Sequence, residues 1–495
     1  MGKNKKGRGG RERLAQMPRS GRVLQSPYSR LPGVTLSSWR DERLPELLWA
    51  AILTASLERD EYLQLFREIS ERCDGLEGDA WQGLGHTSLA KITDGDFDRL
   101  IQPIVDRNLL SGLHALSLFR DLPDAHHWAR HIEGWTDRSD QDYEIVAVAI
   151  ALTSWHQSEA ATDIRWLRVL SMILGRKMHF ADAMRRQAEE ILGFPNVGDM
   201  RAVRPSIRAA EQAFGSISMP DDQRPPMDWV NSFWKQCKRE TSCLRAEPKR
   251  PTKVRLDGLF ENIVDVYRKM ERHFHNQESY EAVDSRLDAA FGIALYSMNI
   301  LLNIVAGNSY RRVEGRLMLR SLCECYVTLA YLLHVDSRKT WQQYRSYGHG
   351  QAKLTYLKSI DLSSNDKAKY FSEADLEELA NEDKWEEFVD IDLGSWSNKS
   401  LRSMSEDAKV KDVYDRFYPW PSGYVHGHWS AVRDAVFDLC LNPLHRLHRI
   451  PSIPRANMND CSEDATKLVN LTLDLLNQAY PSFKPRVKFP AQELQ

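Results

Sequence analysis

From about Glu42 onward, apolar positions recur three and four apart, the spacing of one face of an α-helix. In LPELLWAAILTASL, Pro45 stands where a first helical residue would, with Glu46 in the first turn. LPDAHHWARHI repeats the device at Pro123 and Asp124. The long apolar segment IVAVAIALTSWHQSEAATDIRWLRVLSMIL carries polar residues at helical intervals. No period-two alternation, no Asn-Gly turn between two apolar runs and no fixed-period repeat is found. In the second half, Phe260, Ile263, Val264, Tyr267 and Phe274 share a helical face. Two long helices are predicted next, over roughly 284–305 and 313–334. An acidic, Ser-rich stretch, 361–409, reads as partly helical surface, and a helix pair over 424–441 and 464–479 closes the chain. The predicted fold class is all-α: two helical domains, the C-terminal one a bundle.

Apolar periodicity stops twice, at 216–227 (SISMPDDQRPPM) and at 245–255 (RAEPKRPTKVR), with the short helix DWVNSFWKQCKRET between. The boundary is placed near Pro248, where proline and basic residues cluster. The expected organisation is a basic tail (1–39), an N-terminal helical domain (40–247) and a C-terminal bundle (252–482). The length of 495 residues accommodates two such domains, each able to bury a core. Up to Arg30 the tail sets Lys3, Lys5, Lys6, Arg8, Arg11, Arg13, Arg19, Arg22 and Arg30 against the single acid Glu12. With little apolar content it is expected to be disordered, and to give at most a salt-sensitive contact to RNA or phosphate.

Bulk composition narrows the partners. A net charge of −2 argues against whole-molecule attraction to nucleic acid or membrane, so any such binding must come from a local patch. The apolar run 289–305 is short and is interrupted by Ser297, Asn299 and Asn303, which predicts a buried helix and no membrane span. The seven cysteines are odd in number and scattered, which fits reduced thiols in a cytoplasmic protein. Cys237 and Cys243 have no second Cys/His pair at zinc spacing nearby, so neither a metal nor another cofactor is expected.

Several polar groups stand at helical spacing. His156, Glu159 and Asp163 fall on one face, and the like charges of Glu159 and Asp163 call for a metal or for arginines to offset them. The favoured reading is a buried ion network, with Arg204, Arg208 and Glu211 as the complementary face. Arg316, Arg320 and Glu324 step by four along an otherwise apolar helix and must be paired there, or Arg320 must bind an anion. In YRSYGHGQAK, Tyr344, Tyr347 and His349 adjoin Gly348 and Gly350, which suit either a turn or a close backbone approach.

The densest stretch is FYPWPSGYVHGHW, 417–429. Pro419 and Pro421 break a continuous helix, so Ser422 reads as an N-cap and His426 as a first-turn histidine held toward neutrality. Tyr418, Ser422 and His426 are spaced by four, with His428 beside them.

An Arg-x-x-x-Glu helix (Arg320, Glu324) followed about a hundred residues on by Tyr-x-x-x-Ser-x-x-x-His (Tyr418, Ser422, His426) resembles an uncharacterised bacterial all-helical domain family, over 256–441. That family is similar in shape to the HEPN bundles, often toxin or antiviral-defence ribonucleases. Their Arg-x(4–6)-His motif cleaves RNA at a dimer interface, with the 2′-hydroxyl as nucleophile. Formal matches are Arg107–His114, Arg120–His126 and Arg268 with His273 or His275, whereas no arginine stands four to six residues before His426. The resemblance implies a metal-independent ribonuclease acting on RNA or nucleotides. Arg320, Glu324, Ser422 and His426 would be its catalytic groups, and Tyr344, His349, Tyr418 and His428 its substrate contacts. The alternative is a non-catalytic scaffold binding a protein partner or a second copy of itself, with no membrane.

Overall fold

The computed structural model describes residues 17, 19–24, 37–76, 83–137, 139–178, 180, 184–217, 228–246, 256–277, 283–363, 365–452 and 458–490. Two compact units are present: Met1–Ala246 with Leu439–Arg449, and Glu247–Asp438 with Ile450–Gln495. Pro248 and residues 1–16 and 25–36 of the basic tail lie outside the described residues.

Both units are predominantly helical, as the apolar spacing predicts. The first contains α1 (Leu48–Ser56), α2 (Arg59–Glu71), α3 (His86–Leu89), α4 (Asp94–Asp106), α5 (Ala125–Trp128), α6 (Asp140–Thr153), α7 (Glu159–Leu174), α8 (Arg185–Leu192), α9 (Met200–Ile217) and α10 (Asp228–Glu240). A 3₁₀ turn opened by Pro45 leads into α1. Every residue of α1 from Leu48 to Thr54 is buried, as expected of a helix apolar on all sides. The long apolar segment is two helices, because the turn ahead of Ser158 ends α6 and the Ser158 side chain caps α7. Large indoles fill this core with their N–H groups satisfied. Trp39 donates to the Thr153 carbonyl (2.8 Å), Trp49 to Leu84 (2.9 Å) and Trp166 to Ile191 (2.8 Å).

The seam between α7 and α9 is charged, along the faces the sequence pairs. Glu211 is fully buried and accepts from Arg168 Nη1 (2.8 Å) and from Arg43, with Arg165 Nε at 3.6 Å. Burial pulls the Arg165 guanidinium down to about 10, against the pull of Glu211. Arg204 pairs with Glu159, and Arg208 donates to Thr162 Oγ1 at 3.1 Å. Buried Asp163 accepts from Arg59 (2.8 and 3.0 Å) and Tyr62 (2.8 Å). His156 does not join this face; it stands in the exposed turn ahead of α7.

The second unit contains α11 (Leu259–His275), α12 (Ser285–Ala306), α13 (Val313–Val335), α14 (Arg338–Ile360), α15 (Glu373–Ala380), α16 (Leu401–Asp407), α17 (Lys411–Phe417), α18 (Pro419–Val425), α19 (Trp429–Val436) and α20 (Ser462–Ala479). Helix α12 is the hub, packed by α11, α13, α14 and α20 through Leu287, Phe291, Ala294, Met298, Leu301 and Ile304. Among the described residues it is the helix long and apolar enough to cross a membrane, yet 56% of its most apolar window is buried in the bundle.

Strand content is slight. Strands β1 (Arg19–Ser20) and β2 (Val23–Leu24) pair antiparallel, and β3 (Phe437–Leu439) pairs with β4 (Arg449–Pro451). Strands of two or three residues are too short to show a period of two in the sequence.

Candidate functional site

Helix α13 carries Arg320 and Glu324 one turn apart, and α18 packs against it. Arg320 Nη2 lies 3.0 Å from Glu324 Oε1 and donates to the Tyr418 hydroxyl at 3.1 Å. The same guanidinium sits 5.1 Å from the Tyr418 ring centroid, and Tyr418 stacks on Tyr414 at 4.7 Å. Three of the expected residues, Arg320, Glu324 and Tyr418, are therefore assembled.

Ser422 and His426 join them only through the main chain. Ser422 N–H donates to the Tyr418 carbonyl (3.0 Å) and His426 N–H to the Ser422 carbonyl (3.2 Å). Among the described residues no side-chain hydrogen bond links Arg320 to Ser422 or His426. The N-cap assigned to Ser422 is corrected: α18 begins at Pro419, because prolines at the first turn remove only N–H groups that have no helical partner. His426 stands at the C-terminal end of α18 and not in a helix's first turn. The single helix expected over 424–441 is also corrected. Gly427, at φ +60°, breaks it, α19 restarts after His428, and the chain then turns to β3. His426 is exposed and its ring lies 6.0 Å from that of His428.

Tyr344 and His349 sit on a continuous α14, so YRSYGHGQAK is not a turn. Tyr344 packs edge-on to Trp396, and burial raises its hydroxyl to about 12. His349 Nε2 lies 2.9 Å from Glu382 and Nδ1 3.5 Å from Asp383. Gly350 serves a close approach: a Cβ there would meet the Asp390 carbonyl oxygen at 2.6 Å. Members of two of the three HEPN-type pairs are held elsewhere. Arg107 binds Glu68 (2.7 Å), His114 Nε2 lies 2.8 Å from the Gly134 carbonyl, and His273 stacks on Phe483.

Two further arrangements in the first unit went unread in the sequence. One is a cavity of about 450 Å³ lined by Arg40, Lys235, Lys238 and Arg446, with Asp41, Trp234 and two histidines. Lys235 and Lys238 are three apart on α10 and so share a face. Arg446 lies 5.5 Å from the Trp234 ring, while Arg40 is held by Asp41 at 2.8 Å. Four cations against one carboxylate suit a phosphate or another polyanion.

The other is a group of four side chains, Cys243, Cys440, His445 and His448, whose ligand atoms lie within 4.8 Å of one another. Burial holds both imidazoles below the usual histidine range. The run Cys440-x4-His445-x2-His448 was the available signal, but Cys243 is about two hundred residues away. Cys237, which the sequence set beside Cys243, is instead a buried core thiol raised well above its ordinary range by burial.

Comparison with known proteins adds a partial match. A family of unknown function, DUF5677, matches residues 295–439. This stretch is similar to an uncharacterised domain family. It runs from within α12 to the end of β3 and includes Arg320, Tyr418 and His426. No curated protein matches the chain, and no solved structure matches it.

Proposed function

We propose that this protein acts on RNA or nucleotides, holding their phosphates in the basic cleft of the first unit. The observation that carries this reading is the cleft itself, where Lys235, Lys238 and Arg446 have no carboxylate within ion-pair distance among the described residues. Cations already neutralised by acids would offer a polyanion little. In the second unit, the resemblance to HEPN bundles supplies a reaction: attack of a ribose 2′-hydroxyl on the neighbouring phosphate, giving a 2′,3′-cyclic phosphate as the P–O5′ bond breaks and the 5′-oxygen leaves as a hydroxyl. Arg320 would stabilise the developing charge and His426 would move the proton. Arg320 would exchange its Glu324 partner (3.0 Å) for the phosphate, and the exposure of His426 supports the step. Such an activity suits a bacterial effector of antiviral defence.

The test is binding of labelled single-stranded RNA across a salt series, with cleavage followed in parallel. The double variant Lys235→Glu/Lys238→Glu is expected to weaken binding at least ~10-fold and to flatten its salt dependence. Unchanged affinity sinks the binding site; cleavage that survives His426→Ala sinks the catalytic assignment alone. A second reading, a non-catalytic interaction protein, is favoured by the exposed indoles of Trp420 (60%) and Trp429 (64%) and by an Arg320 already paired with Glu324. RNA binding without any cleavage supports that reading of the second unit.

A further inference from the structure

We infer that Cys243, Cys440, His445 and His448 form a structural zinc site within the first unit. This assignment stands independently of any action on RNA. The argument begins with distances. Cys243 Sγ is 3.6 Å from His445 Nδ1 and 3.5 Å from His448 Nε2, and Cys440 Sγ is 3.4 Å from His445 Nδ1. In a zinc tetrahedron with Zn–S near 2.3 Å and Zn–N near 2.0–2.1 Å, a sulfur and a nitrogen ligand stand about 3.6 Å apart. These three of the four sulfur–nitrogen separations are edges of that size. Thiol–imidazole hydrogen bonds alone account for the cluster poorly. The Nδ1 of His445 has a single lone pair, yet two sulfurs face it. A cation at the common centre engages every facing lone pair at once.

The surroundings prepare the ligands. His445 Nε2 lies 3.0 Å from Thr241 Oγ1 and 3.2 Å from the Thr241 carbonyl, so the ring proton resides on Nε2 and donates there. That leaves Nδ1 bare toward the sulfurs, the arrangement typical of a metal-bound histidine with its second nitrogen tied to a carbonyl. Asn442 donates to Thr241 Oγ1 (3.1 Å) and to the Ser242 carbonyl (2.8 Å), fixing the segment that holds Thr241. The two cysteine-bearing segments are held side by side by the Arg245–Cys440 bridge and by Leu441 N–H donating to the Leu244 carbonyl at 2.7 Å. The Cys440 N–H donates to the His448 carbonyl at 3.0 Å and closes the ligand loop.

Two thiolates and two imidazoles in a tetrahedral group select zinc among the common divalent ions. Four protein ligands leave no open position for a substrate, so the site is structural. It staples the loop 440–448 to the chain leaving α10.

The experiment is metal analysis of the full-length chain, purified without chelator or metal-affinity resin. About one zinc per chain is expected. Cys243→Ser and His448→Ala are expected to lose it, and Cys237→Ser to retain it. Cobalt added to metal-stripped protein should give the visible bands of a tetrahedral thiolate site. Thr241→Val, which removes an outer hydrogen-bond partner but no ligand, should weaken zinc about 10–100-fold in chelator competition. Wild-type protein that carries no zinc and gives no cobalt bands overturns the inference, whatever the variants do. A Cys243–Cys440 disulfide in freshly prepared protein would overturn it equally.

Discussion

Replacing Glu211 by Gln tests whether the charged seam between α7 and α9 is held by one carboxylate. The Glu211 side chain is 0% exposed, and those of Arg43 and Arg165 are 10% and 4% exposed. The amide keeps the shape and one acceptor oxygen but removes the charge that three guanidinium groups share. Breaking a buried pair by removing one partner costs about 3–5 kcal/mol, because the remaining charges stay desolvated. The retained oxygen places Glu211→Gln near the lower end, about 3 kcal/mol. For a unit of this size each kcal/mol moves the midpoint by roughly 2–4 °C, so the first unit should melt about 6–12 °C lower. Differential scanning calorimetry of the full chain reads that shift. The internal comparison is Arg204→Ala, which breaks the half-exposed pair with Glu159 and should cost less than about 1 kcal/mol. If Glu211→Gln is no more harmful than Arg204→Ala, the seam is held by packing, and the reasoning from buried charge is refuted.

Other expectations are local to the second unit. Gly350→Ala drives a methyl group into the Asp390 carbonyl and should cost about 1–3 kcal/mol, with faster amide exchange over 386–396 as its signature. Asp336 accepts from Arg286 (2.8 and 3.1 Å) and from Trp341 (2.9 Å), and Arg286 first of all holds its carboxyl below the usual range. A depressed carboxyl stabilises the fold above its unfolded value of about 3.9 and loses that contribution as the pH falls through the folded value. Asp336→Asn should therefore lower the urea midpoint at neutral pH, with the gap to wild type closing below about pH 4. A gap that is constant with pH would show that the carboxylate charge is not what matters.

Helical class, the buried run in α12 and the charged faces of α7 and α9 were legible because each depends on residues a few positions apart within a single helix. Arg320 with Glu324 was legible for the same reason. His426 was misplaced because proline was read as a helix breaker, whereas Pro419 and Pro421 occupy the first turn, where a missing N–H costs nothing. Gly427 then ended what looked like one long helix. The cleft and the Cys/His group were illegible for a different reason. Lys235 meets Arg446, and Cys243 meets His448, only after the chain has travelled about two hundred residues, and no local spacing encodes that return.

The allocation of Leu439–Arg449 to the first unit bears on how the chain is made. Synthesis runs from the N-terminus, so α1 to α10 emerge long before Leu444, a member of the same apolar core, leaves the ribosome. The first unit must wait, incomplete, while most of the second is produced. A fragment cut after residue 246 lacks its closing segment, and one begun at residue 256 carries that segment with nothing to close. Expression as two halves should thus yield two poorly behaved fragments, whereas mixing them in trans should restore the first unit's core.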